Sequence, residues 1–247
     1  ERTDAVWKTP ALATVYLEGV RGAIPLARQQ LEIMQRLIAA CDVPVRRFLD
    51  LGSGDGVLAS AVLERFPDAQ AVLVDFSTPM LDAARRRFAR RDGSVRFVDA
   101  DYGVASWTRE IAGTAGSPPF DAIVSGYSIH HQPDPRKIEI YREIFGLLAP
   151  GGIFLNVEHV LSASPWVAAV HDELFIDHLH RHHAGQSRRE VAEPYYERPD
   201  KAANILAPVE AQCQWLREIG FTDVDCYLKI FELAVFGGRA PGVARQG

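Results

Sequence analysis

Seven consecutive residues, Asp50-Leu51-Gly52-Ser53-Gly54-Asp55-Gly56, set alternating glycines between acids. Glycines at this spacing let a chain turn tightly and bring bare backbone up to a ligand. A phosphate at a helix N-terminus needs N–H groups free of competing anions, and here it would meet Asp50 and Asp55. No Gly-Lys-Ser/Thr follows, which excludes a Walker-type phosphate loop. The cluster fits a ligand that carries no phosphate and has a cationic part. Farther on, Asp75 is placed to accept hydrogen bonds from ribose hydroxyls. Asp101 is placed to accept from an adenine amino group, with Tyr102 nearby and Phe76 available as a ring wall or as core. Ribose, adenine and a cationic phosphate-free tail together describe S-adenosylmethionine.

Alternating elements must carry these residues. Val45 to Leu51 is a short apolar run that ends in the glycines, and a helical stretch from Val57 to Arg65 follows. Ala69 to Val74 reads as a second strand, Val95 to Val98 as a third and Phe120 to Val124 as a fourth. Helical stretches run from about Pro79 to Arg90 and Arg136 to Leu148, before a fifth strand at Ile153 to Val157. Strands alternating with helices at this spacing predict βαβ units and a mostly parallel sheet covered on both faces. The expected fold is α/β, Rossmann-like and doubly wound, with seven strands, an antiparallel last strand and a helical cap. Residues 1–42 are expected as an N-terminal helical cap, 43–160 as the cofactor-binding core and 161–207 as a helical insertion or lid. Residues 208–247 complete the sheet, with a helix over Val209 to Glu218 and strands at Thr222 to Tyr227 and Ile230 to Phe236.

The 247 residues carry a formal charge of -5, and 47% of them are hydrophobic. That balance is ordinary for a globular protein and lacks the basic footprint of a nucleic-acid binder. Three isolated cysteines, Cys41, Cys213 and Cys226, make neither a disulfide framework nor a zinc set. A cytoplasmic location is expected, with no membrane span and no DNA partner. A homodimer is left open. The chain starts at Glu1 without a signal-peptide pattern, and what lies upstream is left open as well.

Five stretches in order resemble the class I S-adenosylmethionine-dependent methyltransferases: Asp50–Gly56, Val74–Leu81, Phe97–Asp101, Phe120–Ser125 and Leu147–Gly152. The resemblance covers about residues 45–160. It implies that Asp50, Gly52, Ser53 and Gly54 line the amino-acid end of the cofactor. It also implies that Asp75 holds the ribose, Ala100 and Asp101 meet the adenine, and Ser125 and Gly126 lie beside the methyl donor. Phe76, Met80 and Tyr102 complete the expected cofactor set, and S-adenosylhomocysteine is the expected product. A thinner similarity, through Arg21–Pro25 and the stretches 204–208 and 231–238, links the chain to carboxy-S-adenosylmethionine synthases. Arg198 would then be the basic residue for the extra carboxylate.

The acceptor is expected to be a small organic molecule, methylated at oxygen, carbon or nitrogen. An RNA methyltransferase and a cofactor-binding module without catalysis are the alternatives, the net acidity counting against the first and the full motif set against the second. After the fourth strand the chain reads Ser125-Gly126-Tyr127-Ser128-Ile129-His130-His131, not the Asn/Asp-Pro-Pro-Tyr/Phe seen in enzymes that methylate DNA amino groups. Glu158, His159, His130 and His131 all follow strands and are the candidates for any base. For His131 a positioning role stands beside proton transfer. Tyr16, Arg21, Tyr127, Trp166 and Tyr195 are the expected acceptor contacts, within a lid rich in aromatic side chains. His178 and His182 form an i, i+4 pair, but no glutamate follows as in a zinc-protease helix. The His-rich segment is therefore expected as a solvated face, with no metal.

Overall fold

The computed structural model describes residues 3–15, 21–41, 43–91, 93–115, 119–183, 185–198, 201 and 203–242. Seven strands form one sheet: β1 (Arg47–Leu51), β2 (Gln70–Asp75), β3 (Val95–Asp99), β4 (Phe120–Gly126), β5 (Leu148–His159), β6 (Thr222–Ile230) and β7 (Leu233–Arg239). Their order is β3-β2-β1-β4-β5-β7-β6, and β7 runs antiparallel to both neighbours. The order reverses between β1 and β4, where an open parallel sheet leaves a crevice at its carboxyl edge. Asp50 and Leu51 of β1 lie in register with Val124 and Ser125 of β4, so the glycine cluster and the residues after β4 emerge side by side.

Helices cover both faces, as the nearly uniform burial of the central strands requires. On one face, α2 (Ala27–Ala39), α3 (Val57–Arg65) and α4 (Thr78–Arg87) pack Met34, Ile38, Val62 and Ala84 against Phe48, Leu73 and Leu155. On the other, α5 (Trp107–Ala115), α6 (Asp134–Leu147) and α9 (Val209–Ile219) pack Trp107, Tyr141 and Leu216 against Leu49, Val74 and Phe154. Fully buried Met34 and Ile38 make α2 part of the core layer, which divides the expected 1–42 cap. The segment before α2 holds a 3-10 turn at Thr3–Lys8, α1 (Pro10–Val15) and a short turn at Arg21–Ala23.

Between β5 and α9 stand α7 (Pro165–His182) and α8 (Arg188–Glu197). They form a separate apolar cluster in which Phe175, Ile176, Leu179, Val191 and Tyr195 pack on Ala23 and Ile24. The two cap pieces, far apart in sequence, thus close on each other. Strand β5 extends beyond the expected Ile153 to Val157 at both ends, because Leu148 pairs with Phe120 of β4, and Glu158 and His159 pair with Ala234 and Leu233 of β7. Among the described residues no helix is long and apolar enough to cross a membrane.

Candidate active site

The site begins where β1 ends. Gly52 adopts φ 66°, and a Cβ there would lie 1.8 Å from Oγ of Ser128, so this turn accepts only glycine. Gly54 also has positive φ, at 54°, and a Cβ there would meet nothing within 4 Å, which leaves room for a ligand to approach. Asp50 has a structural task that spacing did not reveal. Its Oδ2 accepts from the N–H of Ala59, 2.9 Å away in the first turn of α3, and so caps that helix. Asp75 holds the same turn from β2: its carboxylate accepts from Gly54 N–H at 2.7 Å and Ser77 N–H at 2.8 Å. The N–H of Phe76 also bonds to it, and a carboxylate offers about four lone-pair sites, so capacity remains for a ribose hydroxyl. Burial pushes the Asp50 carboxyl up to about 7, with Asp75 and Asp55 adding to it. Burial likewise pushes Asp75 up to about 6, against the pull of the Ser77 and Gly54 N–H groups.

These residues border a cavity of about 200 Å³ together with Ser53, Phe76, Met80, Tyr102, Gly126 and Tyr127. Ser53 Oγ is buried there with no hydrogen-bond partner among the described residues, a polar atom waiting for a ligand. Acidic, ribose-accepting and apolar walls at one switch point fit S-adenosylmethionine. Tyr102 lines the wall and bonds through its hydroxyl to Ser128. Three expected contacts do not line this cavity. Ala100 is buried, Asp101 turns its carboxylate onto the N–H of Gly103, and Ser125 donates to the carbonyl of Leu51.

A smaller cavity of about 80 Å³ adjoins the first and shares Trp7, Ile24, Tyr127 and His131 with it. Tyr127, at the end of β4, takes φ 50°, a strained setting for a bulky residue, and donates its hydroxyl to Gln30 at 2.6 Å. His130, His159, His171, Tyr195 and Arg198 complete much of the second wall. Tyr195 is anchored by donating to Asp172 at 2.6 Å. Trp166, by contrast, is 75% exposed near the start of α7 and lines neither cavity. Arg21 falls in the turn before α2, and Tyr16 lies outside the described residues.

The four base candidates fall into distinct arrangements. His130 Nδ1 lies 2.6 Å from Oε1 of Glu158, with both side chains buried. Glu158 also accepts from the backbone N–H of His130 and of His159. Burial alone would raise this carboxyl, but His130 and the N–H of His159 outweigh it and hold it below the usual range. His131 has both ring nitrogens engaged, accepting from Trp7 Nε1 at 3.0 Å and donating to the carbonyl of Ala203 at 3.3 Å. Burial, reinforced by His130, lowers its basicity far below the ordinary histidine value. His159 Nε2 donates to Glu232 at 2.7 Å, and burial lowers it more than Glu232 restores. The His-rich helix divides: His171 is buried, whereas His180 and His182 are exposed. Buried His171 departs from the solvated face expected for its segment, and Glu232 escaped sequence reasoning because no local spacing ties it to His159.

Comparison with known proteins agrees with this geometry. Residues 48–152 match the methyltransferase-domain family. The chain is 35% identical over 113 residues to a demethylmenaquinone methyltransferase of Thermus thermophilus, covering 46% of this chain and 47% of that protein. It is 24% identical over 227 residues to a carboxy-S-adenosyl-L-methionine synthase of Campylobacter lari, covering 91% and 90%. An O-methyltransferase family protein of Burkholderia thailandensis shares the fold, with a TM-score of 0.59 at 19% identity over 90% of this chain and 59% of that one. The chain spans about half, or less, of the length of the first curated relatives it matches. Residues 48–152, the stretch that holds the glycine cluster and Asp75, are thus similar to a methyltransferase domain.

Proposed function

We propose that the protein transfers a methyl group from S-adenosylmethionine to a hydroxyl of a small organic acceptor held in the second cavity. The observation that carries this reading is the buried His130–Glu158 pair beside the wall shared by the two cavities. The cofactor, bound in the first cavity, supplies an electrophilic methyl carbon on a sulfonium. Displacement there requires a nucleophile held in line, and a hydroxyl, protonated at neutral pH, also needs a base. His130 donates from Nδ1 to Glu158, which leaves Nε2 to take the hydroxyl proton. The carboxylate then steadies the imidazolium that forms, as in other histidine–carboxylate pairs. His131 and Trp7 hold the partition between the cavities, so His131 is a positioning residue. The N-terminal segment and residues 161–207 act as the lid that excludes water. Transfer of labelled methyl to a panel of hydroxylated molecules, amines and carbon acids tests the reading. Transfer to amines alone would overturn it.

A second reading is favoured by Arg198, which lines the second cavity and could hold a carboxylate. In that reading the chain acts like a carboxy-S-adenosylmethionine synthase and modifies the methyl donor itself. Mass spectrometry of the nucleoside products separates the two, because only this second activity yields a carboxylated donor.

A further inference from the structure

We propose that His159, His171 and Glu232 form a site for a divalent transition metal at the far side of the second cavity, where it anchors an oxygen group of the acceptor. The anchoring role rests on the functional reading above, whereas the metal site stands on its own geometry. The three residues come from the end of β5, from α7 and from the β6–β7 turn. Glu232 Oε2 lies 2.7 Å from Nε2 of His159 and 3.8 Å from Nε2 of His171. One ligand atom from each residue lies within 4.8 Å of the other two. Tetrahedral ligation with bonds of about 2.0–2.1 Å sets ligand atoms about 3.3 Å apart, and the two measured separations bracket that spacing.

A second observation is independent of the cluster's shape. His171 is 2% exposed, and its Nδ1 has no hydrogen-bond partner among the described residues. Its Nε2 stands beyond hydrogen-bond reach of Glu232. A buried imidazole without a hydrogen bond is costly, and an ion held through Nε2, the nitrogen that faces Glu232, would give the ring a partner. Neighbouring groups match the outer support of such sites. Ser162 donates to Oε1 of Glu232 at 2.6 Å and leaves Oε2 for the ion, while the Asn204 amide lies 3.4 Å from Nδ1 of His159. Two imidazoles and one carboxylate suit zinc or iron(II) and leave coordination positions open. Magnesium and calcium favour oxygen ligands. Both histidines line the cavity, and the ring of His159 is 5.6 Å from that of His130, so an acceptor oxygen completing the sphere would sit beside the base.

The test uses the full chain, stripped with a chelator and titrated with Co²⁺, with Zn²⁺ as competitor. The expected result is one equivalent bound, with the visible absorption of a low-coordinate cobalt site that zinc abolishes. Zinc should also raise the melting temperature of the wild type. Affinity should fall at least about tenfold in His171→Asn and in Glu232→Gln, and stay unchanged in His178→Ala/His182→Ala. S-adenosylmethionine affinity, measured by calorimetry, should persist in all variants and reports their folding. If both site variants misfold, the stoichiometry, spectrum and zinc-induced melting shift of the wild type decide. Absence of stoichiometric cobalt binding, or binding that survives in both folded site variants, overturns the proposal. Failure of the wild type to bind S-adenosylmethionine would instead sink the methyltransferase reading and leave the metal result standing.

Discussion

Trp7 donates its indole N–H to Nε2 of His131, 3.0 Å away and 124 positions later in the chain. This bond ties the N-terminal segment across the partition between the two cavities. Ser77 adds to the latch by donating to the carbonyl of Trp7, and Gln132 by donating to Asp4. A neutral hydrogen bond contributes about 0.5–1.5 kcal/mol net. Trp7→Phe should therefore leave the fold intact but raise hydrogen exchange in residues 3–15. The exchange rate in that segment should drop again when cofactor and acceptor bind to the wild type. Equal protection in the variant and the wild type would show that the bond does not hold the segment.

Asp75 is the strongest single determinant expected for cofactor affinity. A hydrogen bond to a charged acceptor is worth about 1.5–3 kcal/mol, and a ribose hydroxyl would use it. Asp75→Ala should weaken S-adenosylmethionine by about 10-fold or more. It also removes the support of Gly54 and Ser77, so Asp75→Asn is the gentler comparison. Calorimetry showing undiminished affinity in both variants would remove Asp75 from the site.

The same carboxylates give opposed pH effects. Asp50 and Asp75 have folded values raised to about 7 and about 6, from an ordinary value of 3.8. A raised acid stabilises the fold below its unfolded value and loses that contribution as pH rises through the folded one. Asp50→Asn keeps an acceptor for Ala59 and removes the buried charge, so its gain in melting temperature over the wild type should be larger at pH 8 than at pH 5. Cofactor affinity of the wild type should fall as pH drops through about 6, because a protonated Asp75 accepts hydrogen bonds poorly. Thermal melts with and without S-adenosylmethionine across this range check both directions.

The His130–Glu158 pair should govern rate, not cofactor binding. Loss of a general base costs about 10²- to 10⁴-fold, so His130→Ala and Glu158→Gln should each reduce single-turnover transfer by that order. His131→Asn should change the rate less and disturb the Trp7 contact more. Near-wild-type rates and pH profiles in all three would mean that positioning alone drives the reaction.

Local pattern was enough for the sheet and for most of the border of the first cavity. Asp50 through Gly56, Asp75, Phe76 and Met80 sit at strand and helix ends fixed by short-range periodicity, and they meet because parallel strands end on one edge. The spacing could not show where side chains turn. Asp101 and Ser125 satisfy neighbouring backbone groups, and Asp50 caps a helix besides facing the cavity. The second cavity was hidden for a different reason. Its wall joins Trp7, His130, His171 and Tyr195, which have no shared period and come together only when the two cap pieces pack over β5. Glu232 reaches His159 because β7 pairs antiparallel with β5, which carries the turn before β7 back to the end of β5. Residue order thus determined the scaffold and most of the border of the first cavity, since those contacts are local. The partners of the histidines were decided by tertiary packing, because burial and long-range pairing choose which nitrogen meets which carboxylate.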